Sequence, residues 1–438
     1  MGAFLTANGT LEHYSTKLEM LLNSSIHNEA NRSFDDGITI HQQEESTKLF
    51  SGYLLLNSQY INNPASILVN NQGDVVHSWN IPKTITNPET TAQHPTLDKT
   101  IKESVFSIGD ARIYPEGSLL FTQDIREFPN YRAQRIAKID KNSKLIWEIP
   151  GLFHHDLFLT ENGTIYSVGS KLTDTTPLVD NTDNKQVKFI SSVVNIISND
   201  GQLLDEINVE DAFANSGYAH FLTVFNLDIS PLIFKLNDGS DVYDTIHLNS
   251  AQPLTQHHAD HWPIAQEGDI LISLRGNSTI ALLRPQTRNI IWAKRGPWRN
   301  QHFVRMQHNG TITIYDNDGG SVIASVNRDS KPTIIRQPRI VAYNPANDTS
   351  SIIYADYNLK NGYFASFWRG QYHFFDDNTM LVSSSNTGQI IHVDLNTGKK
   401  FWQLTTTENA NRDEEPPYTK KLVSMHYYDP QELPFLSH

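Results

Sequence analysis

The chain contains no cysteine among its 438 residues, which excludes disulfides, Cys-ligated zinc, iron–sulfur clusters and thiol nucleophiles. Positive charge is scarce too: 35 Lys and Arg stand against 48 Asp and Glu, a formal net charge of −13. No Lys/Arg-rich stretch offsets this balance. Nucleic acids and anionic membranes are bound by neutralising phosphates, so neither is an expected partner. Apolar runs reach only about five residues, against the roughly 20 that a membrane-spanning helix needs. Met1-Gly2-Ala3-Phe4-Leu5 lacks the basic stretch and apolar run of a secretory signal, which leaves the location open between cytoplasm and export without disulfides. The stock motifs G-x-x-x-x-G-K-[ST], G-x-S-x-G and H-E-x-x-H are missing, so phosphate-loop, serine-hydrolase and zincin chemistry have no support.

What the chain does contain is core-forming material: 38% of residues are hydrophobic and 10% aromatic, enough for a large folded unit rather than low-complexity disorder. Asn-x-Ser/Thr triplets occur at Asn8, Asn23, Asn31, Asn162, Asn277, Asn309 and Asn347. In an Asn-rich chain such triplets arise by composition and inside Asn-Gly-Thr turns. Leu11, Tyr14, Leu18, Leu21 and Leu22 fall at helical spacing and predict a short amphipathic helix within an N-terminal extension, residues 1–45. After about residue 46 the pattern changes. Short runs of Val, Ile, Leu, Phe and Tyr alternate with Asn-Gly, Asp-Gly, Glu-Gly and Thr-Gly turns, the signature of an all-β chain.

These runs repeat. A turn followed by an apolar strand recurs at Pro115–Leu120, Glu161–Tyr166, Glu267–Ile272, His308–Thr313 and Asp377–Val382, each expected to open a blade. Further on, a strand, a polar turn and a second strand often end in Trp, as at Trp79, Trp147, Trp292 and Trp402. Six such units in about 350 residues predict a six-bladed β-propeller over 46–410, with blades near 50–81, 108–150, 155–208, 245–296, 300–337 and 364–405. Residues 411–438 are expected to follow as a tail. A pair of β-sandwiches gives similar short strands, but gives no reason for Trp to recur where adjacent blades would pack.

Inner strands of a propeller meet at a central funnel, and histidines fall at their starts: His154-His155-Asp156, then His247, then Gln301-His302. Arg275 closes Ile270–Leu274, read as an inner strand. Neutral His can serve as nucleophile or general base near pH 7, and a guanidinium fork binds planar oxyanions. A different chemistry is suggested by Gln256-His257-His258-Ala259-Asp260-His261, which gathers three imidazoles and a carboxylate of the types that bind zinc; a solvated loop is the simpler reading.

Gly52-Tyr53-Leu54, Gly73-Asp74-Val75-Val76-His77-Ser78-Trp79, His154-His155-Asp156-Leu157, His247-Leu248-Asn249-Ser250, Gly268–Arg275, Trp298-Arg299-Asn300-Gln301-His302 and Tyr315-Asp316-Asn317, in that order, resemble the landmarks of bacterial arylsulfotransferases that do not use phosphoadenosine phosphosulfate. The resemblance implies transfer of a sulfuryl group from an aryl sulfate to a phenol through a sulfohistidine in the funnel. It implies His302 as nucleophile, His247 and Arg275 on the sulfuryl oxygens, and His155 completing the anion pocket or moving a proton. Asn249 and Asn317 match polar landmarks, and no metal or organic cofactor is implied. The chain departs from the family in three places. It lacks the disulfide of exported members, it places Phe303 after the Gln-His pair where its bulk would narrow the acceptor side, and its last blade begins Phe364–Tyr372, an aromatic stretch in which Trp368 would form a wall for a flat ligand. The alternatives are the same fold performing cyclisation, isomerisation or hydrolysis on an aromatic or polyketide-like molecule, and a non-catalytic binding propeller.

Overall fold

The computed structural model describes residues 38–42, 49–60, 65–82, 105–127, 131–177, 187–223, 232–235, 240–319, 322–325, 333–335, 337–356, 366, 368–406 and 422–437. The helix expected near residues 11–23 and the aromatic positions Phe364 and Phe367 lie outside them. Six blades stand in a ring, a β-propeller. From the axis outward, blade 2 runs Val105–Ile113, Leu119–Glu127, Tyr131–Ile139, Leu145–Pro150, and blade 3 runs Leu152–Leu159, Ile165–Thr173, Val187–Ile197, Leu203–Asn208. Blade 4 runs Leu248–Pro253, Ile270–Leu274, Thr279–Arg284, Asn289–Arg295. Blade 5 comprises His302–Met306, Ile312–Asp316, Arg339–Asn344 and Thr349–Ala355. Blade 6 comprises Tyr372–Phe374, Thr379–Ser384, Gln389–Asp394 and Lys400–Thr406.

Three readings of the sequence are corrected here. The recurring turn-plus-strand units form the second strand of blades 2 to 6, not the innermost one. The innermost strands are less conspicuous because they face a polar channel: Leu248–Pro253 is buried throughout yet carries Asn249, Ser250 and Gln252. Arg275 therefore ends a second strand, and its backbone N–H donates to the His247 carbonyl at 3.0 Å, so both residues share one rim. In blade 5, Val322–Ser325 and Thr333–Ile335 form a separate hairpin, and the third strand is Arg339–Asn344, with Ile312 opposite Tyr343 and Asp316 opposite Arg339. Both segments have β composition, but only the second can continue the ladder and bury Ile340 and Val341 against neighbouring blades.

The ends of the described chain also belong to the ring. Leu422–Tyr428, in the segment expected as a tail, pairs antiparallel with Tyr53–Tyr60 and is the innermost strand of blade 1, whose remaining strands are Ala65–Asn70 and Val75–Asn80. Ile38–Gln42 pairs with Lys400–Thr406 and adds a fifth strand to the outside of blade 6. Six separate hydrophobic clusters fill the interfaces between successive blades. The recurrent Trp residues bridge those interfaces. Trp79 Nε1 donates to the Gly117 carbonyl at 3.0 Å, Trp147 Nε1 to Asn199 at 3.1 Å and Trp402 Nε1 to Asn71 at 2.8 Å, each in a turn of an adjoining blade.

Candidate functional site

The innermost strands of four consecutive blades break register at the same end. The shifts lie between Ile108 and Ala111, opposite Ser167 and Gly169, between Leu248 and Ser250, and between His302 and Arg305. A bulge inserts one residue into one side of a ladder and re-aims the side chains around it. Several residues at this rim take left-handed backbone conformations: His155 (φ 59°), His247 (φ 51°), Asn300 (φ 54°), Phe303 (φ 45°) and Arg369 (φ 59°). For residues with a Cβ each such conformation costs about 1–3 kcal/mol and tends to cluster at functional sites. Of these residues His155 and Phe303 fall within the bulges, and both line the pocket together with Arg369.

His302 is 3% exposed, and its Nδ1 lies 3.0 Å from the Asn300 carbonyl and 2.7 Å from Asn317 Oδ1. The amide of Asn317 is itself oriented, because Nδ2 donates to the carbonyls of Ser366 at 2.7 Å and Arg369 at 2.8 Å. Both partners of His302 Nδ1 are thus acceptors, so Nδ1 carries the proton and Nε2 carries a lone pair. That Nε2 is buried without a hydrogen-bond partner. Burial, followed by the Arg275 charge, holds the pKa of His302 well below the ordinary histidine value, so the ring is neutral near pH 7.

His155 stacks near His302, ring centroids 5.7 Å apart, and its Nε2 faces His247 Nε2 at 3.4 Å. Burial and the Arg369 charge keep His155 uncharged as well. Behind it, His247 Nδ1 lies 2.5 Å from Asp244 Oδ2, and His154 Nδ1 lies 2.7 Å from His155 Nδ1. Asp244 also faces a buried carboxyl: Glu210 accepts from Ser191 Oγ at 3.1 Å and the Ser192 N–H at 3.0 Å, and its burial pushes its pKa up to about 8.

These groups surround a small, partly open pocket, lined in part by His155, His302, Phe303, Asn249, Asp156 and Arg369. The Arg369 guanidinium donates to the Gly109 carbonyl at 2.5 Å. Asn249 Nδ2 donates to the Gln301 carbonyl at 2.7 Å, which leaves its buried Oδ1 without a partner. Asp156, on the pocket lining, is held by Arg305 at 2.6 Å, and nearby Asp110 contacts Arg112 at 2.8 Å and His426 Nε2 at 2.5 Å. Burial alone would raise the Asp110 carboxyl, but Arg112 and His426 outweigh it and hold it below the usual range. Phe303 lies under the Arg305 guanidinium, 4.1 Å from its ring, and edge-on to Tyr372 at 5.1 Å.

Of the residues singled out from sequence, His155, His302, Asn249 and Phe303 line this pocket, whereas His247, Arg275 and Asn317 support it from behind. Trp368 is half-buried and is not among the lining residues. The imidazoles of 257, 258 and 261 do not converge on a point. His258 caps its own helix, Gln256–Asp260, through contacts of its Nδ1 with Thr255, and His257 Nε2 reaches the His308 carbonyl at 2.8 Å. Among the described residues no three His, Asp or Glu side chains are placed to hold one metal ion. Sequence reasoning passed over Arg369, Asp244, Arg305 and His426 as site residues. His426 was accessible to it, because Leu422-Val423-Ser424-Met425-His426-Tyr427-Tyr428 has strand composition and a propeller needs a strand to close blade 1.

The family model described as "Arylsulfotransferase (ASST)" matches residues 112–407. A curated relative, a glutaminyl-peptide cyclotransferase of Arabidopsis thaliana, is 23% identical over 171 residues, 39% of this chain and 46% of that one, so the chain spans about half the relative's length. Among solved structures, a Bacteroides caccae protein of unknown function aligns over 84% of this chain and 98% of its own, at 10% identity and a TM-score of 0.45. A streptogramin B lyase aligns over 87% and 91%, at 10% identity and a TM-score of 0.38.

Proposed function

The chain belongs to the arylsulfotransferase family, and from that premise we propose that it transfers a sulfuryl group from an aryl sulfate to a phenolic acceptor, with His302 as the nucleophile. The observation that carries this reading is the state of His302: Nδ1–H tied to two oxygens, Nε2 buried, uncharged and without a partner beside an open pocket. A nitrogen lone pair held in this way has little solvation to lose before it attacks. His302 Nε2 forms a bond to sulfur while the bond from sulfur to the aryl oxygen breaks, and the phenolate leaves with the electron pair. A phenol oxygen then attacks the sulfohistidine, loses its proton and returns the lone pair to Nε2.

Arg369, on the pocket wall, and Arg275, whose charge acts on His302, supply positive potential where the sulfuryl oxygens gather negative charge. The Asn317 amide holds the imidazole tautomer through both half-reactions. Phe303 gives the entering ring an apolar face.

Incubation with p-nitrophenyl sulfate and a phenol should release p-nitrophenol in an acceptor-dependent manner. His302→Ala should abolish release, and donor without acceptor should leave a sulfuryl adduct on the peptide containing His302. No turnover by a folded protein over a broad panel of aryl sulfates would sink the proposal.

A further inference from the structure

Asp244 makes two contacts with one residue: its Oδ2 lies 2.5 Å from His247 Nδ1, and its Oδ1 accepts from the His247 backbone N–H at 3.1 Å. A carboxylate in that position accepts, so neutral His247 carries its proton on Nδ1 and a lone pair on Nε2. Across the 3.4 Å contact, His155 Nε2 must then be the donor. Its Nδ1 is consequently an acceptor, and the 2.7 Å contact requires His154 Nδ1 to donate. His154 Nε2 in turn accepts from the Ser170 hydroxyl at 2.7 Å. One carboxylate thereby orders three imidazoles and a hydroxyl head to tail.

The same run has a second state in which every contact keeps one donor and one acceptor. A proton reaching His154 Nε2 from the Ser170 side moves the His154 Nδ1 proton onto His155 Nδ1. That move drives the His155 Nε2 proton onto His247 Nε2. The product is a His247 imidazolium against the Asp244 carboxylate, with the polarity of the whole run reversed. Ser170 is partly exposed and precedes the exposed Lys171, so the outer end reaches solvent.

We propose that Ser170, His154, His155 and His247 form a directed proton relay that serves the pocket, with Asp244 as the positioning residue that sets its polarity. For its substrate the relay rests on the sulfuryl-transfer reading; its tautomers do not. As the aryl–oxygen bond to sulfur breaks, the departing phenolate takes the proton of His155 Nε2, the His154 Nδ1 proton passes to His155 Nδ1, and His154 takes a proton from solvent at Nε2 through Ser170, so every ring stays neutral. When the acceptor phenol attacks, its proton goes to His155 Nε2, the His155 Nδ1 proton returns to His154 Nδ1, and the His154 Nε2 proton leaves to solvent through Ser170, which restores the run. No proton is gained or lost over the cycle.

Two-bond proton–nitrogen spectra of the full chain with labelled histidine, assigned through single His variants, read the tautomers directly. His247 Nδ1–H, His155 Nε2–H and His154 Nδ1–H are expected. Asp244→Asn, which keeps the shape but can donate, should move the His247 proton to Nε2. Neutral His247 already protonated at Nε2 in the unaltered chain would overturn the proposal. Kinetically, His154→Gln should lower the ratio of turnover on phenyl sulfate to that on p-nitrophenyl sulfate by about tenfold or more, because only the poorer leaving group needs the proton. An equal loss on both donors would leave His154 a structural role and reject the relay. Failure of the unaltered chain on both donors would reject sulfuryl transfer instead, and the spectra would still decide the tautomers.

Discussion

At the scale of single residues the site depends on pinned and buried groups whose neighbours decide their charge. His302 is neutral because burial outweighs hydrogen bonding, and its tautomer follows from an Asn317 amide that two carbonyls hold in one orientation. Glu210 is the clearest test of such burial. Its pKa stands at about 8 against the ordinary 4.5, mainly from loss of solvent. A raised carboxylate pKa gives stability that is fully present below the unfolded value and is lost as pH rises through the folded one. The protein should therefore lose stability between about pH 5 and 8, with a slope of up to about 1.4 kcal/mol per pH unit from this group. Glu210→Gln should remove that part of the slope and leave the variant more stable than the parent at pH 9, as read by urea unfolding at pH 5, 7 and 9. The histidine positions were legible as residue types at the starts of strands. Asp244 was not, because its partnership with His247 depends on a left-handed turn at His247 that no composition announces.

At the scale of elements, the repeated bulge is what converts a strand into a site. In blade 2 it falls at Gly109, where an added Cβ would stand 2.5 Å from Thr122 Oγ1 and 3.3 Å from the His155 backbone nitrogen. Thr122 Oγ1 cannot withdraw freely, since it accepts from the Asp110 N–H at 3.0 Å. Gly109→Ala should cost about 1–3 kcal/mol by overpacking, measured by urea unfolding. It should also weaken any sulfuryl-transfer activity, because the Gly109 carbonyl anchors Arg369. Strand content and the Trp at blade junctions were readable from turns and apolar runs. Which strand of each blade lies innermost was not, because channel-facing strands such as Leu248–Pro253 mix polar and apolar residues and lose the alternation that marks a half-buried strand.

At the scale of the whole molecule, the ring is closed by the far end of the chain. Leu422 and Met425 join the cluster between blades 6 and 1, Leu433 joins the one between blades 1 and 2, Val423 lines the pocket, and His426 contacts Asp110. Deleting residues 411–438 should expose the edge of Tyr53–Tyr60 and open two of the six interblade clusters. A lowered and broadened melting transition by circular dichroism is expected, with loss of any sulfuryl-transfer activity; a melting curve equal to the full chain's would mean the segment is a dispensable tail. Within a chain of net charge −13, Arg369 places a guanidinium on the wall of the pocket. By itself the sequence determined the class of fold, the absence of thiol chemistry and the histidines available to the funnel, because these follow from local pattern and composition. The tertiary structure alone decided which histidine keeps a bare nitrogen, which arginine shares its pocket and how the ring closes. Those outcomes depend on register shifts and on contacts between residues hundreds of positions apart, such as His426 with Asp110, and local pattern holds no record of them.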